Sequence, residues 1–246
     1  MNSNLPIFHP FNLLKRMNNA FEEIVNPLLP EFIVKDFKDG RKESEKQENP
    51  IRIYLMERND QFLKYGFKFK NRLDENNERS TEDLIVVDLL SPEYVEHLCN
   101  IKSSMSKNPS NIGKDEIIGY ALTGENKKYK TTQISKLFHQ KVINNDRKIS
   151  YGFYFYISYK KDKKTFSVHE LTYMSQDDII INPTNLLQSK MKYEPIYRTS
   201  EERFNFLFDN FVTYVTKNVN KFEPMYKYIN KNEWKNIDGR TNKKIT

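Results

Sequence analysis

The sequence predicts an α+β protein whose antiparallel sheet is centred on a hairpin over residues 149–174 and is flanked by four or more helices. Residues 149–159 alternate in side-chain character with the two-residue period of a strand. The lysine-rich turn KKDKK at 160–164 leads to a second alternating stretch, which changes phase at His169–Glu170. A β-bulge is therefore expected near those two residues.

The composition limits the classes of protein to which the chain can belong. Its 246 residues suffice for one large domain or two small ones, and its 17 Phe and 15 Tyr are expected to supply much of the core. With seven Gly and neither a G-x-x-x-x-G-K-[ST] nor a G-x-G-x-x-G string, the common nucleotide-binding motifs are absent. We therefore predict no cofactor.

The composition also bears on the compartment of the protein and on whether it contacts a membrane. The single cysteine, Cys99, excludes a disulfide within the chain, and neither a charged-then-apolar leader nor a long apolar run is visible. We expect a soluble protein of the cytoplasm, or of the host-cell cytoplasm if it is viral, with no membrane partner.

The N-terminal part of the chain predicts a helix followed by a linker. Apolar residues recur at three- and four-residue spacing over 11–26, and Pro27 ends the pattern. Residues 35–50 are charged and almost free of apolar side chains. The predicted organisation is an N-terminal helix with a charged linker over 1–50, a main α+β domain over 51–237 and a polar tail over 238–246.

The main domain alternates predicted strands and helices. The continuous apolar run LIVVDLL at 84–90 is typical of a strand buried on both faces. Ser91-Pro92-Glu93 and Ser200-Glu201-Glu202 are typical helix starts, with a capping residue and an acid in the first turn. Besides the hairpin, we predict strands at 51–56, 62–69, 84–90, 117–122 and 177–183, and helices at 92–105, 131–143 and 201–220.

Charge is divided unevenly along the chain. Residues 1–100 contain 14 Lys and Arg and 18 Asp and Glu, a net charge of −4, whereas residues 101–246 contain 26 and 15, a net charge of +11. This asymmetry favours a polyanionic partner such as nucleic acid. The alternative is that an AT-rich genome has raised the lysine count, in which case the lysines have no binding function.

The basic and aromatic residues around the hairpin form the first candidate site. Single-stranded nucleic acid is bound by bases that stack on exposed rings while cations follow the phosphates. Alternatively, the rings cover the second face of the sheet beneath a helix. The predicted nucleic-acid-binding residues are Lys127, Lys128, Lys130, Lys136, Tyr154, Tyr156, Lys160, Lys161, Lys163 and Lys164.

A second candidate is a winged helix-turn-helix. The predicted helix at 131–143 is followed by the hairpin, which is the order of a recognition helix and its wing. Thr131, Gln133, Lys136 and Gln140 would then meet a groove, and the KKDKK turn would touch phosphate. Residues 120–130, however, do not predict the first helix that such a motif needs.

The patterns that point to catalysis or metal binding are few. Asp88 followed by Glu125-x-Lys127 resembles the acidic and acid-x-Lys elements with which metal-dependent nucleases hold Mg²⁺. His97-x-Cys99 supplies two ligands where zinc takes four, and on the predicted helix the two side chains diverge. We predict no catalytic and no metal-binding residue.

The leading hypothesis is a non-enzymatic nucleic-acid-binding protein of a mobile element, such as a phage or plasmid, or of an AT-rich microbe. It contacts phosphate through a basic region over 127–164, and the nucleic acid is either single- or double-stranded. One alternative is a structural or protein-interaction component, such as a phage or virus protein or an inhibitor, whose partner is another protein. A metal-dependent nuclease is the third hypothesis.

Overall fold

A computed structural model of the chain describes residues 5–28, 49–71, 84–104, 110–113, 115–149, 154–160, 165–184, 186–190 and 194–218. The helices in these ranges are α1 (Pro10–Ala20), α2 (49–56), α3 (Asn59–Phe62), α4 (Asp115–Thr123), α5 (Thr131–Ile143) and α6 (Ser200–Lys217). The strands are β1 (Phe67–Lys70), β2 (Leu84–Asp88), β3 (Glu96–Ser104), β4 (Ser110–Gly113), β5 (Tyr154–Lys160), β6 (Thr165–Glu170), β7 (Ile179–Asn182) and β8 (Leu186–Ser189). This mixture confirms the predicted α+β class.

The larger sheet has five strands in the order β1-β2-β3-β5-β6. Neighbouring strands are antiparallel except β3 and β5, which run parallel with Ile101 beside Ile157. The prediction of a sheet that is antiparallel throughout is thus corrected at this one pair. The residues 89–95 form the short reversal between β2 and β3, whereas α4, α5 and β4 lie between β3 and β5 in sequence, which leaves room for the crossover that a parallel pair needs.

The predicted hairpin is confirmed by the antiparallel pairing of β5 with β6, but it lies at one side of the sheet rather than at its centre. The predicted bulge is wrong, because the register runs without interruption to the pair Phe155–Glu170. The change of phase has another cause: β6 ends at Glu170, and Leu171–Tyr173 form a 3₁₀ turn. Glu170 caps this turn by accepting hydrogen bonds from the backbone N–H and the hydroxyl of Thr172.

The N-terminal helix packs along the edge strand β6. The side-chain amide of Asn18 donates to the Val168 carbonyl at 2.8 Å and accepts from the Val168 N–H at 2.7 Å. Asn26, just after the single π-helical turn Phe21–Val25, makes the same pair of bonds with Phe166. The backbone groups of an edge strand normally need such partners, and here two asparagine amides supply them.

The opposite edge of the sheet is closed in the same way. Asn59, the first residue of α3, donates to the Phe69 carbonyl at 2.8 Å and accepts from the Phe69 N–H at 2.7 Å. The phenylalanines on this side form the predicted aromatic core. Phe62 stacks on Phe67 and meets Phe69 edge-to-face, at a centroid distance of 5.3 Å in both cases.

The chain divides into two compact units, and their boundaries differ from the predicted division at residue 50. The first unit comprises Met1–Ile112, Gly152–Ile179 and Ser189–Tyr197, and it contains α1 and the five-stranded sheet. The second comprises Gly113–Tyr151, Ile180–Gln188 and Arg198–Thr246, and it contains α4, α5 and α6. The predicted tail at 238–246 and the charged stretch at 35–48 lie outside the described residues.

The smaller sheet has three strands in the order β4-β8-β7. A β-carbon at Gly113 would approach the Leu187 side chain to 2.7 Å, so that side chain occupies the space that glycine leaves open. The predicted strand at 177–183 is confirmed as β7. Phe138 of α5 packs against Phe204, Phe208 and Phe211 of α6, and these four rings fill the core of the second unit.

Other predicted elements are confirmed with small shifts of their ends. The run at 84–90 is the fully buried strand β2, and the helix predicted at 11–26 is α1 with its π-helical extension. The helices predicted at 131–143 and 201–220 are α5 and α6. Thr199 and Glu202 form a reciprocal capping box at the start of α6.

Two predicted strands before the sheet are largely wrong. Residues 49–56 are helical, because Ile51, Tyr54 and Leu55 recur at helical spacing and all three are buried. Of the predicted strand at 62–69, the first half belongs to α3 and a 3₁₀ turn. Gly66, at φ +73°, reverses the chain into β1.

The predicted helix at 92–105 is wrong, because this stretch contains strand β3. The predicted strand at 117–122 is also wrong, because it lies in helix α4. Ser91 caps a turn, with its hydroxyl donating to the Asp88 carbonyl and accepting from the Val95 N–H, and the chain then enters β3 between two partner strands. Residues 115–123 form α4, with two acids in its first turn and Gly124 after its end at φ +77°.

Among the described helices, none combines the length and apolar character needed to cross a membrane.

Candidate nucleic-acid interface

The helix–loop–helix formed by α4, the loop at 124–130 and α5 carries four of the predicted site residues. Residues 124–148 contain seven Lys and Arg and two Asp and Glu, a net charge of +5. We call residues 124–130 the lysine loop, because Lys127, Lys128 and Lys130 are all exposed on it. Lys136 is exposed in the second turn of α5, which belongs to the same basic segment.

Tyr129 fixes the conformation of the lysine loop. Its ring is buried, and it lies so close to α4 that a β-carbon at Gly119 would meet ring carbons at 2.2 to 2.6 Å. Its hydroxyl lies 2.7 Å from the Thr123 hydroxyl, at the end of α4. The buried ring therefore anchors the loop while the lysines beside it face solvent.

A second tie joins the starts of the two helices. Thr131, the first residue of α5, donates its hydroxyl hydrogen bond to the Asp115 carboxylate at 2.7 Å. Gln133 caps α5 by accepting from the Lys130 N–H at 2.8 Å. The lysine loop is thus bounded by side-chain contacts at both ends, and it holds its cations at the N-terminal end of α5.

The four lysines differ in their immediate partners. Lys127 pairs with Glu125 and lies 5.4 Å from the centroid of the Tyr129 ring. The hydrogen bond to Glu125 raises the pKa of Lys127, so this side chain stays protonated. Lys128, Lys130 and Lys136 form no ion pair within the described part of the chain, and their charges are available to an external anion.

The other predicted site residues belong to the first unit. Tyr154, Tyr156 and Lys160 are in β5, where Tyr156 has Asn100 and His169 as its register neighbours, and both of these are buried. Lys161, Lys163 and Lys164 lie outside the described residues. Because β5 pairs with β3 as well as β6, it is not the free-standing wing that the sequence order indicated.

Each acidic residue of the nuclease hypothesis forms an ion pair with a basic side chain. Asp88 is fully buried, and its Oδ1 accepts from Arg16 at 2.8 Å and from the Leu90 N–H at 3.1 Å. Arg16 also donates to the carbonyls of Tyr65 and Gly66, so it ties α1 to the start of β1. Glu125 is exposed and is engaged by Lys127.

His97 and Cys99 lie two residues apart on β3, so they share a face of the sheet instead of diverging as the predicted helix required. Both are buried. Burial lowers the pKa of His97 to about 4, and the positive charge of Arg16 acts in the same direction. Among the described residues, no group of three or more His, Cys, Asp and Glu is arranged to hold a metal ion.

Sequence reasoning missed the residues that position the lysine loop. The sequence predicted a strand at Gly119, a basic loop at Tyr129 and no role for Asp115, whereas these residues determine how α4 meets α5. Two features of the sequence pointed to α4, namely the acids at 115–116 and Gly124 after the last turn. The close contact of Gly119 with Tyr129 could not be read from the sequence.

These features define the class: an α+β protein of two compact units, one of which carries a basic helix–loop–helix surface. No protein-family model matches the chain, and no curated protein was found to resemble it.

Proposed function

We propose that the chain is a non-enzymatic nucleic-acid-binding protein that contacts phosphate through its basic region at 127–164. The observation that supports this proposal most is the lysine loop, which presents three exposed lysines on a backbone anchored by buried Tyr129. Lysines contribute most to phosphate binding when they need not be ordered on binding, because ordering side chains and loops reduces affinity.

The charges near the loop favour an anionic partner. Glu125 is the acid of the lysine loop, and Lys127 already engages it. Asp146, beyond α5, is engaged by Lys141 at 2.8 Å. The lysines that remain face solvent, and the region has a net positive charge that would concentrate phosphates near it.

We propose further that the protein works in the cytoplasm, or in the host-cell cytoplasm if it is viral. A single cysteine, buried in β3, suits a reducing compartment. The abundance of Lys, Asn, Ile, Tyr and Phe fits a phage, a plasmid or an AT-rich microbe as the source.

Binding to fluorescently labelled oligonucleotides tests the proposal. Replacement of Lys128, Lys130 and Lys136 by Ala should weaken binding to every sequence, because each lysine contributes a phosphate contact. The matched control replaces Lys15, Lys68 and Lys190, three exposed lysines of the first unit, and removes the same charge. A second variant, with Lys160, Lys161, Lys163 and Lys164 replaced by Ala, tests the remainder of the basic region.

The proposal is wrong if the wild-type protein binds no oligonucleotide at low salt. It is equally wrong if the Lys128, Lys130 and Lys136 variant and the control variant lose affinity by the same small factor. The lysines would then act only through net charge. That second result would favour a protein-interaction role in which the lysines serve solubility.

A further inference from the structure

We infer that His9 makes the first turn of α1 sensitive to pH in the range in which imidazole titrates. Above that range the neutral ring caps the helix. Below it the protonated ring cannot cap the helix, so the first turn and the segment before it open. This conformational device belongs to the first unit and is independent of the proposed function.

The N-cap of α1 is a histidine, whereas most helices have Ser, Thr, Asp or Asn at this position. The Nδ1 atom of His9 accepts a hydrogen bond from the Phe11 N–H at 3.2 Å. A ring nitrogen accepts a hydrogen bond only while it carries no proton. The cap therefore requires a neutral ring whose proton is on Nε2.

Protonation of His9 reverses the cap. Nδ1 then carries a hydrogen, and two donors face each other where Phe11 previously donated. The positive charge also lies at the N-terminal end of a helix, which the helix dipole disfavours, and the first turn of α1 contains no acid to offset it. Because imidazole has an ordinary pKa of about 6.5, the cap is complete near about pH 8 and is lost as the pH falls toward about 5.

The backbone bonds of the first turn also start from His9. Its carbonyl accepts from the N–H groups of Asn12 at 2.7 Å and Leu13 at 3.1 Å, and its own N–H donates to the Pro6 carbonyl at 2.8 Å. The side-chain amide of Asn12 donates to the same Pro6 carbonyl at 2.8 Å. A movement of His9 thus affects the first amides of the helix and the segment before it.

The other ionisable groups near His9 were compared with it. The His9 ring lies 5.9 Å from the Tyr197 ring, measured between centroids. The ionisable side chains on α1 near the cap and on the segment that carries Tyr197 are Lys15, Glu194, Tyr197 and Arg198. Groups of these types ordinarily titrate below about pH 5 or above about pH 9. His169 of β6, which lines a surface indentation with Glu194, is buried and lies 2.7 Å from the Ser167 hydroxyl.

The remainder of α1 is held by contacts that do not involve His9. Arg16 donates to the Asp88 carboxylate, and Asn18 exchanges two hydrogen bonds with Val168. Both anchors lie about two turns or more beyond His9. Protonation therefore opens one end of α1, while the helix stays packed on the sheet.

Aromatic contacts set the extent of the opening. Phe11 packs edge-to-face against Tyr173 and Tyr197, and these contacts do not depend on the charge of His9. Before the helix, Ile7 and Phe8 are 59% and 43% exposed, so burial holds this segment only weakly. The segment at 5–8 and the hydrogen bonds of the first turn are thus the parts that respond.

NMR of the full-length protein between about pH 8 and 5 tests the inference. The ¹⁵N signals of the imidazole report the tautomer and the protonation of His9. Amide hydrogen exchange, corrected for its intrinsic dependence on pH, reports protection of the Phe11, Asn12 and Leu13 N–H groups. The test variant is His9→Asn, which keeps a capping side chain but does not titrate. The control is His139→Gln, which removes a histidine of similar exposure from α5.

At the upper end of the range the His9 ring should be neutral, with its proton on Nε2. As the pH falls, protection of the three amides should decrease about fivefold in the wild type and in His139→Gln, in step with protonation of His9, which is the effect expected of a lost cap. His9→Asn should keep constant protection. The amides of Arg16 and Asn18 should stay protected in all three proteins.

The inference is overturned if wild-type protection of the first turn does not change with pH, or if the neutral His9 ring carries its proton on Nδ1. It is also overturned if His9→Asn loses protection as the wild type does. Loss of protection at Arg16 and Asn18 together with the first turn would contradict it as well, because α1 would then unfold as a whole. None of these results bears on nucleic-acid binding, which the experiment does not involve.

Discussion

At the scale of single residues, the contact of Gly119 with Tyr129 determines how the lysine loop is held. A helix interior normally disfavours glycine by about 1 kcal/mol relative to alanine. Here glycine is required, because a β-carbon would lie within 2.6 Å of three ring carbons of Tyr129. The space that the missing side chain leaves is occupied by the ring that anchors the loop.

Gly119→Ala should therefore destabilise the protein by about 1–3 kcal/mol, as expected of an overpacked core. In a Tyr129→Ala background the same substitution should stabilise it by up to about 1 kcal/mol, because only the helix preference of alanine then remains. Urea unfolding of the four proteins measures both effects. A Gly119→Ala effect of the same sign and size in the two backgrounds would contradict the contact.

His97 is a second residue whose surroundings have a measurable consequence. It is buried on β3, and its pKa is lowered to about 4 by burial and by the nearby Arg16. The folded protein therefore keeps this imidazole neutral where the unfolded chain, with a pKa of about 6.5, would protonate it. The stability that depends on neutral His97 is complete above about pH 6.5 and declines as the pH falls toward 4.

Replacement of His97 by Gln should reduce this acid sensitivity. The wild type should lose up to about 3 kcal/mol of unfolding free energy from this source between about pH 6.5 and 4, and the variant should lose correspondingly less. Urea unfolding across that pH range provides the measurement. His139→Gln, in α5, serves as a control for the change of residue type, and equal pH dependence of the two variants would disprove the role of His97.

At the scale of elements, asparagine side chains close both edges of the five-stranded sheet. Asn59 pairs with Phe69 on β1, and Asn18 and Asn26 pair with Val168 and Phe166 on β6. Each amide offers a donor and an acceptor side by side, as a neighbouring strand would. Exposed edges favour association between sheets, so these amides both stabilise the fold and oppose aggregation.

Asn59→Asp tests this role with little change of shape. The carboxylate can still accept from the Phe69 N–H, but it cannot donate to the Phe69 carbonyl. We expect a loss of about 1–3 kcal/mol in unfolding free energy, because a partly buried carbonyl loses its donor. Asn19→Asp, at an exposed position of α1, is the matched control. Equal unfolding free energies for the two variants would contradict the edge-closing role.

The burial pattern of each element explains whether the sequence could predict it. α5 and α6 each bury one stripe of residues at helical spacing, and β2 is a continuous apolar run, so their patterns are unambiguous. β3 was misread because polar His97 and Asn100 are buried on it. α4 was misread because the consecutive residues 117–120 are all buried, and such a run suits a strand as well as a helix.

At the scale of the whole molecule, the sequence located the basic half but not the way in which its parts are held. The asymmetry of charge pointed to the basic region at 127–164, of which Lys127, Lys128, Lys130 and Lys136 are exposed in the second unit. The hairpin at 149–174, in contrast, joins a sheet of the first unit. Such long-range pairing depends on contacts between distant parts of the chain, and local patterns do not encode them.

The salt dependence of oligonucleotide binding tests the central claim most directly. Released counterions make the logarithm of the binding constant fall linearly with the logarithm of the salt concentration, in proportion to the phosphates neutralised. Between about 50 and 200 mM salt, the variant lacking Lys128, Lys130 and Lys136 should show a slope lower than that of the wild type by about one per lysine. The variant lacking Lys15, Lys68 and Lys190 should keep the wild-type slope. Equal slopes for all three proteins would contradict the account.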